Sequence, residues 1–505
     1  MRYFRLRSLV AFLTAGCGIP WASAADVLDF TVTRSNLPAL TYYDLTLRVD
    51  ACGATNANVM ADDRAVQSRL ENGRVIFTTA GTNISVVLNG VTDRTRLGGF
   101  SKAVLKDDRL WAWSNGFDDN KMFKSTALPL LEKYDYRATV FLIGSILNDT
   151  RNEGWITDKP DVVRLVKKGW GIGNHSWNHT VVPAEKGAAN TKWGTPGWAP
   201  TPDDMAKAKE SVRQTYKYLR AACDEAGRSD YRLIAFAAPM FDSRWAPVIA
   251  DMVKAKDSEV LFNESGNRAL VVVDPGWTAA GSRNGLSGFD PAVSIGRDWA
   301  IQVFGTGAKD DPKQKLVTEI AKCGESYHVW YNTLCHGVDA KHGIMAFVPW
   351  VHDTYGQGGS KTVWVAPSDE IYSYLLVRDH ATVTLNGCLP LAMSASNLCA
   401  WIQARTAIPA RTLTSMKGWE LYIWQDQGKT FYALLTGTNR LKTQDEIAHA
   451  AISSLDDLER QLDALVPGQT VSVSGRVLGS AAPGETLKSV AAYGKQIGLI
   501  IEGQR

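Results

Sequence analysis

Between about Asp107 and Thr382 the chain repeats a single unit, a short apolar run coupled to a longer amphipathic one. "RLWAWSNGF" precedes "KSTALPLLEKY", "RATVFLIGSI" precedes "KPDVVRLVKKG", and "YRLIAFAAP" follows "PDDMAKAKESVRQTYKYLRAA". The rhythm is strand, then helix. Repeated units of this kind dictate parallel strands with helices outside, because a parallel return needs a crossover long enough to hold a helix. Both a closed barrel and an open sheet satisfy the pattern.

The flanks read differently. Residues 25–106 are rich in Thr, Val and Asn, and "YYDLTLRVD", "GRVIFTTAG" and "NISVVLNG" are short runs separated by Gly and Asn. They predict a β-sandwich-like module. A Cys-bounded, Ala-rich linker is expected over 383–414, and a small α+β domain over 415–505. In that last unit "WELYIWQDQGKTFYALLTG" reads as a hairpin, "TQDEIAHAAISSLDDLERQLDAL" as an amphipathic helix, "TVSVSGRV" as a strand and "GETLKSVAAYGKQIGLIIEG" as a helix plus strand. A chain of 505 residues exceeds what one core spans, so several domains are expected.

Residues 1–24 carry Arg2, Arg5 and Arg7, then an apolar stretch, then Ala22-Ser23-Ala24, the layout of a secretory signal. The competing reading of "LTAGC" makes Cys17 a lipidated anchor. Either way the protein is expected to be secreted or periplasmic. The formal charge is +3, and removing three leader arginines (3 − 3 = 0) leaves a near-neutral chain. No basic footprint for nucleic acid remains, and no later apolar run has the length of a membrane span. Six cysteines then remain, Cys52, Cys223, Cys323, Cys335, Cys388 and Cys399. An even count in an exported chain suggests disulfides. Proximity would pair Cys323 with Cys335 and Cys388 with Cys399, the other reading being isolated buried thiols.

The chemistry lies in the middle region. Asp118 and Asp119 follow the strand "WAWSNGF", and "GWGIGNHSWNHT" places His175 and His179 after another short strand. Active sites of parallel α/β architectures sit at that end of the strands. Adjacent acids repel unless a cation or a reacting proton holds them. A carboxylate and two imidazoles one helical turn apart supply three ligands to a divalent metal, with a fourth position open for water. The second acid can then accept a proton from that water.

"GFDDN" and "HSWNH" resemble the first two motifs, T-F-D-D-G and H-[ST]-x-x-H, of the NodB-type polysaccharide deacetylases, carbohydrate esterase family 4. The resemblance covers roughly 107–382 and implies a distorted (β/α) barrel. It implies Asp118 as general base and Asp119, His175 and His179 as ligands of a metal, zinc being the expected one. The family's late Leu-x-His motif is matched by Leu334-Cys335-His336, which implies His336 as general acid. Its Arg-x-Pro-Tyr motif is matched only as Ala237-Ala238-Pro239-Met240. The arginine that would orient the base is absent, while Met240 keeps a backbone N–H for the oxyanion. Arg244 is one candidate cation to stand in for it. The Asp-then-Trp motif is loosely matched by "VVVDPGW", which would make Asp274 the residue orienting His336 and Trp277 a wall of the acetyl pocket. Trp177 is a further candidate substrate contact. The first motif also lacks its Thr and final Gly, with Asn115 and Asn120 nearby.

The expected function is metal-dependent removal of N- or O-linked acetyl groups from an extracytoplasmic polysaccharide. The alternative is a carbohydrate-binding pseudoenzyme on a deacetylase scaffold, which the missing arginine favours.

Overall fold

The computed structural model describes residues 26–93, 96–121, 124–147, 156, 158–179, 201–241, 245–265, 270–275, 294–336 and 343–390, together with the strands at 419–426, 429–436, 470–475, 478–479 and 499–504. The leader with Cys17, Arg244, Trp277, Cys399 and the two helices expected after residue 437 lie outside the described residues.

Eight strands open the chain: β1 (Asp26–Thr33), β2 (Leu45–Asp50), β3 (Asn56–Ala61), β4 (Arg64–Val66), β5 (Ser68–Glu71), β6 (Arg74–Thr79), β7 (Asn83–Asn89) and β8 (Phe100–Lys102). They pair antiparallel in two sheets, β1-β7-β3-β4 and β5-β6-β2-β8. Alternate residues of β7 are buried, Ile84, Val86 and Leu88, as a half-buried strand requires. These side chains share one apolar core with Leu45, Leu47 and Val49 of the other sheet.

The strand–helix rhythm follows. β9 (Trp111–Phe117), α1 (Ala127–Lys133), β10 (Thr139–Leu142), α2 (Lys159–Lys167), β11 (Gly171–Asn174), α3 (Pro202–Glu225), β12 (Ala235–Ala237), α4 (Trp245–Ala255) and β13 (Phe262–Glu264) come in strict alternation. β9 to β13 are parallel neighbours in that order. The helix starts are written locally. Asp158 accepts from the Asp161 amide ahead of α2, and Thr201 forms a capping box with Asp204 at α3.

The remaining elements close the sheet. They are β14 (Leu270–Val272), β15 (Ser294–Ile295), α5 (Lys313–Ile320), β16 (Val329–Cys335), α6 (Ile344–Tyr355), β17 (Val363–Val365), α7 (Ser368–His380) and β18 (Thr382–Pro390). β15 adds to β13, β16 lies parallel to β9, and a bridge from Asp298 to Thr333 brings the chain after β15 onto β16. The sheet therefore curls round on itself. β9 and β16 are buried along their whole length, as barrel staves covered on both faces must be.

Two features depart from the expected layout. β14 runs antiparallel to β16, with Val272 opposite Val329. And 383–390, expected as linker, belongs to β18, which pairs antiparallel with β1 from Asp26↔Pro390 to Thr33↔Thr382. The helix before it, α7, is buried from Ser368 to Arg378. It lies between the N-terminal sheets and the barrel floor: Tyr374 Oη donates to Ala103 O at 2.9 Å, Arg378 Nη1 to Val104 O at 3.1 Å, and Ser368 N to Thr139 Oγ1 at 2.9 Å.

Toward the C-terminus, β19 (Trp419–Asp426) and β20 (Lys429–Thr436) form the expected hairpin, β22 (Leu478–Gly479) adds to β20, and β21 (Thr470–Gly475) pairs with β23 (Leu499–Gln504).

Candidate metal and catalytic centre

β9 and β11 end at the same rim on either side of β10, and their next residues turn inward over it. Asp119, Asn120, Ser176, His179 and Met240 all take positive φ between 54° and 63°. Such backbone costs about 1 kcal/mol or more per residue and gathers where surrounding structure enforces it. Asn120, standing where the family has Gly, tolerates this region better than most side chains. It is also tied down, its Nδ2 donating to Ile156 O at 2.9 Å and its Oδ1 accepting from Ile143 N at 2.8 Å.

This turn aims Asp119 at two imidazoles. Its Oδ1 lies 3.2 Å from His175 Nε2 and 3.1 Å from His179 Nε2. That oxygen is buried and makes no well-formed hydrogen bond. The ligand atoms of Asp119, His175 and His179 all fall within 4.8 Å of one another. His175 Nδ1 meets Ala237 O at 2.8 Å, so the ring donates there and turns the lone pair of Nε2 toward Asp119. A carboxylate oxygen with no hydrogen bond facing two imidazole nitrogens is the donor set of a divalent metal with three protein ligands. Burial works to raise the Asp119 pKa, but the two histidines outweigh it and hold the carboxylate far below its ordinary range.

Asp118 points into the barrel instead. It is buried at 4% exposure, and the fully buried Arg297 grips it through both nitrogens, Nη1 to Oδ1 at 2.8 Å and Nη2 to Oδ2 at 2.7 Å. Burial alone would push this carboxyl up; the guanidinium reverses the sign and keeps it charged. Arg297 comes from the segment between β15 and β16, far from the position where the resemblance places an arginine. Its space is provided by a glycine. A Cβ at Gly116 would stand 3.2 Å from Arg297 Nη1 and 3.0 Å from Phe141 Cε2, and the guanidinium lies over the Phe141 ring at 5.2 Å. Gly116 occupies the place of the family's Thr in T-F-D-D-G. The absence of a side chain at Gly116 leaves the room that Arg297 occupies.

His336 follows β16, which is parallel to β9, so it reaches the same rim. Its Nε2 lies 3.3 Å from Asp119 Oδ2, and Lys121 Nζ meets the same oxygen at 3.1 Å. Burial lowers the His336 pKa, against the pull of Asp118 and Asp119. The indole of Trp299, 40% exposed, packs on the imidazole with centroids 4.4 Å apart.

The structure therefore brings together Asp118, Asp119, His175, His179 and His336. Pro239 and Met240 follow β12, next to the carbonyl that orients His175, with Pro239 buried and Met240 48% exposed. Trp177 follows β11, half-buried against Gly144.

Asp274 is a correction. Its carboxylate receives His328, Nδ1 at 2.8 Å and the backbone N–H at 2.9 Å. Because β14 is antiparallel to β16, its end lies at the start of β16, and the eight residues from His328 to His336 span roughly 26 Å of strand. Asp274 cannot orient His336. The Asp–Trp pair beside His336 is Asp298-Trp299, in the "GRDW" stretch that follows β15 and also carries Arg297. The disulfide expectation is corrected as well. Cys323 and Cys335 are free thiols, since β16 stands between them and carries Cys335 about 20 Å from its start. Cys52 and Cys223 are also free and buried.

A curled, mostly parallel α/β sheet carries, at its C-terminal rim, an Asp-His-His cluster that could hold a metal and a buried, arginine-held carboxylate. The polysaccharide deacetylase family model matches residues 112–244. The matched span contains Asp118, Asp119, His175 and His179; Arg297 and His336 lie beyond it. An uncharacterized 30.6 kDa protein in the fumA 3' region of Geobacillus stearothermophilus is 36% identical over 78 residues, 15% of this chain and 25% of that protein. The chain thus spans about a quarter of the length of this curated relative. Among solved structures, a family 4 acetyl xylan esterase from Clostridium thermocellum in complex with a cobalt ion shares 17% identity over 52% of this chain and 90% of that one, with a TM-score of 0.27. Peptidoglycan deacetylase PdaC from Bacillus subtilis shares 14% over 52% and 90%, with a TM-score of 0.28. Likenesses of that size support no argument about substrate or mechanism. Among the described residues, no helix is long and apolar enough to cross a membrane.

Proposed function

We propose that the protein is a metal-dependent hydrolase that removes acetyl groups from an extracytoplasmic polysaccharide. The observation that carries the reading is the buried Asp119 Oδ1, without a hydrogen bond and facing the Nε2 atoms of His175 and His179. A divalent cation, zinc by expectation, would be held by Asp119, His175 and His179 and would polarise the acyl carbonyl and acidify a water. The chain's own residues handle position and protons. Asp118, kept ionised by Arg297, accepts the proton of the attacking water. His336, across the cluster, donates a proton to the departing sugar nitrogen or oxygen, and such acid–base roles contribute about 10²–10⁴-fold each. The Met240 amide would donate to the oxyanion, and the exposed Trp299 indole would offer a face on which a sugar ring can stack.

The pseudoenzyme alternative drew its support from the absent arginine. Arg297 supplies that charge to Asp118, which leaves the hydrolase reading favoured. Acetate release from acetylated glycans, measured before and after chelation and again after zinc is restored, tests the proposal. Activity indifferent to the chelator, or purified protein that binds no divalent metal, would reject it.

A further inference from the structure

Beneath the Asp118–Arg297 pair the barrel interior holds a second carboxyl that the proposed chemistry leaves unused. Glu264 ends β13, is fully buried, and places Oε2 3.6 Å from Arg297 Nη1. That nitrogen is the one that donates to Asp118 Oδ1. One guanidinium therefore faces two carboxyls. Ser368 of α7 and Asn332 of β16 approach Glu264, yet neither carboxyl oxygen completes a well-formed hydrogen bond. Both neighbours are committed elsewhere. Ser368 Oγ meets Thr139 Oγ1 at 3.1 Å, Asn332 Oδ1 accepts from Ser114 Oγ at 2.7 Å, and Asn332 Nδ2 donates to Gly296 O at 3.3 Å. With Gly116 and Phe141 confining the guanidinium from one side, Glu264 is what stands against its Nη1 edge.

We propose that Glu264 is a positioning residue for the base, steadying the Nη1 edge of Arg297 so that the guanidinium meets both oxygens of Asp118. It does so as a titratable group. The charged groups facing it are Arg297, which favours its anion, and Asp118, which opposes it; Ser368 and Asn332 add weak polar support. Burial pushes the Glu264 carboxyl up to about 7, the Arg297 charge countering only part of that push. Glu264 thus passes from neutral to charged near neutrality, and its anion strengthens the hold on the Nη1 edge of Arg297.

The kinetic part of this inference rests on the deacetylase reading; the titration does not. In metal-free protein labelled with carboxyl ¹³C-glutamate, the resonance missing from Glu264→Gln is expected to titrate near pH 7. Its midpoint should fall by at least about one unit in Asp118→Asn, where the opposing charge is gone. In the loaded enzyme, Glu264→Gln should lower kcat about tenfold with KM and metal content unchanged, the equivalent of one pKa unit of misplaced charge. If Glu264→Gln does not fold, Glu264→Asp provides the assignment instead. A wild-type midpoint below 5, a midpoint indifferent to Asp118→Asn, or an unchanged kcat in Glu264→Gln would overturn the inference. Wild-type protein that releases no acetate would sink the deacetylase reading and leave the NMR test standing.

Discussion

Replacing Arg297 by Met keeps much of the side-chain volume and removes the cation that grips both oxygens of Asp118. Asp118 is 4% exposed and Arg297 0%, so water cannot take the place of the lost guanidinium. Stripping one member from a buried pair costs about 3–5 kcal/mol, mostly from the charge left behind. The pH dependence gives a sharper test. In the intact protein the Asp118 pKa is depressed, so its stabilising contribution is present above the unfolded pKa of about 3.9 and is lost as pH falls through the folded value. In Arg297→Met the strongest opposition to burial is gone, leaving only the pull of His175 and His336, and the folded pKa is expected above the unfolded one. The variant should then lose stability as pH rises from 5 to 8. Asp118, protonated near neutrality, should also cease to act as base, lowering kcat by about 10²–10⁴. Thermal midpoints at pH 5 and pH 8, with acetate release at pH 7, measure both effects. The double variant Asp118→Asn/Arg297→Met should be more stable at pH 8 than Arg297→Met alone, since no carboxylate is stranded. An Arg297→Met protein with activity within threefold of wild type and an unaltered pH–stability profile would refute the assignment of Arg297 as partner of the base.

Asp118→Asn should abolish turnover while metal content, read by mass spectrometry, stays near wild type; Asp119→Asn should lose at least 10-fold in metal affinity along with activity, and equal metal loss in both would undo the division of roles. The fully buried Asp369 has its pKa pushed up to about 6 by burial, with Oδ1 lacking a hydrogen bond and Oδ2 accepting from Tyr231 Oη at 2.7 Å. Its folded pKa lies above the unfolded one, so ionisation destabilises the fold as pH rises from about 4 through 6. Asp369→Asn should therefore stabilise the protein by on the order of 2–3 kcal/mol at pH 8 and by little at pH 4, as denaturant midpoints at the two pH values would reveal. Gly173→Ala drives a Cβ into Cδ1 of Phe141, the ring under the Arg297 guanidinium; overpacking of this kind costs about 1–3 kcal/mol, and a lowered melting temperature together with lost activity is the expected reading.

What could be read from the residues alone was whatever the chain encodes locally. Asp118-Asp119 and His175/His179 each lie just past their own strand, and parallel pairing of β9, β10 and β11 brings the two strand ends together. His336 came from the resemblance to the Leu-x-His motif, and the parallel pairing of β16 with β9 brings it to the same rim. Arg297 was not legible, since it contacts Asp118 across 179 positions and nothing near either residue encodes the other. Asp274 was misplaced because the Asp-then-Trp match says nothing of strand direction, and β14 runs antiparallel to β16. The strand β18 was invisible as part of the N-terminal sheet for a related reason: its partner β1 lies more than three hundred residues earlier, a distance that no local pattern spans.

That pairing has a practical consequence for dissecting the molecule. β1 lies between β7 and β18, so a truncation ending at residue 381 would strip one whole side of a buried strand and leave its N–H and C=O groups bare. Exposed backbone of that sort recruits other chains. During synthesis the first strand must likewise wait for the ribosome to pass Pro390 before its neighbour exists, so the half that begins the chain is finished only after the half that carries the acids and histidines.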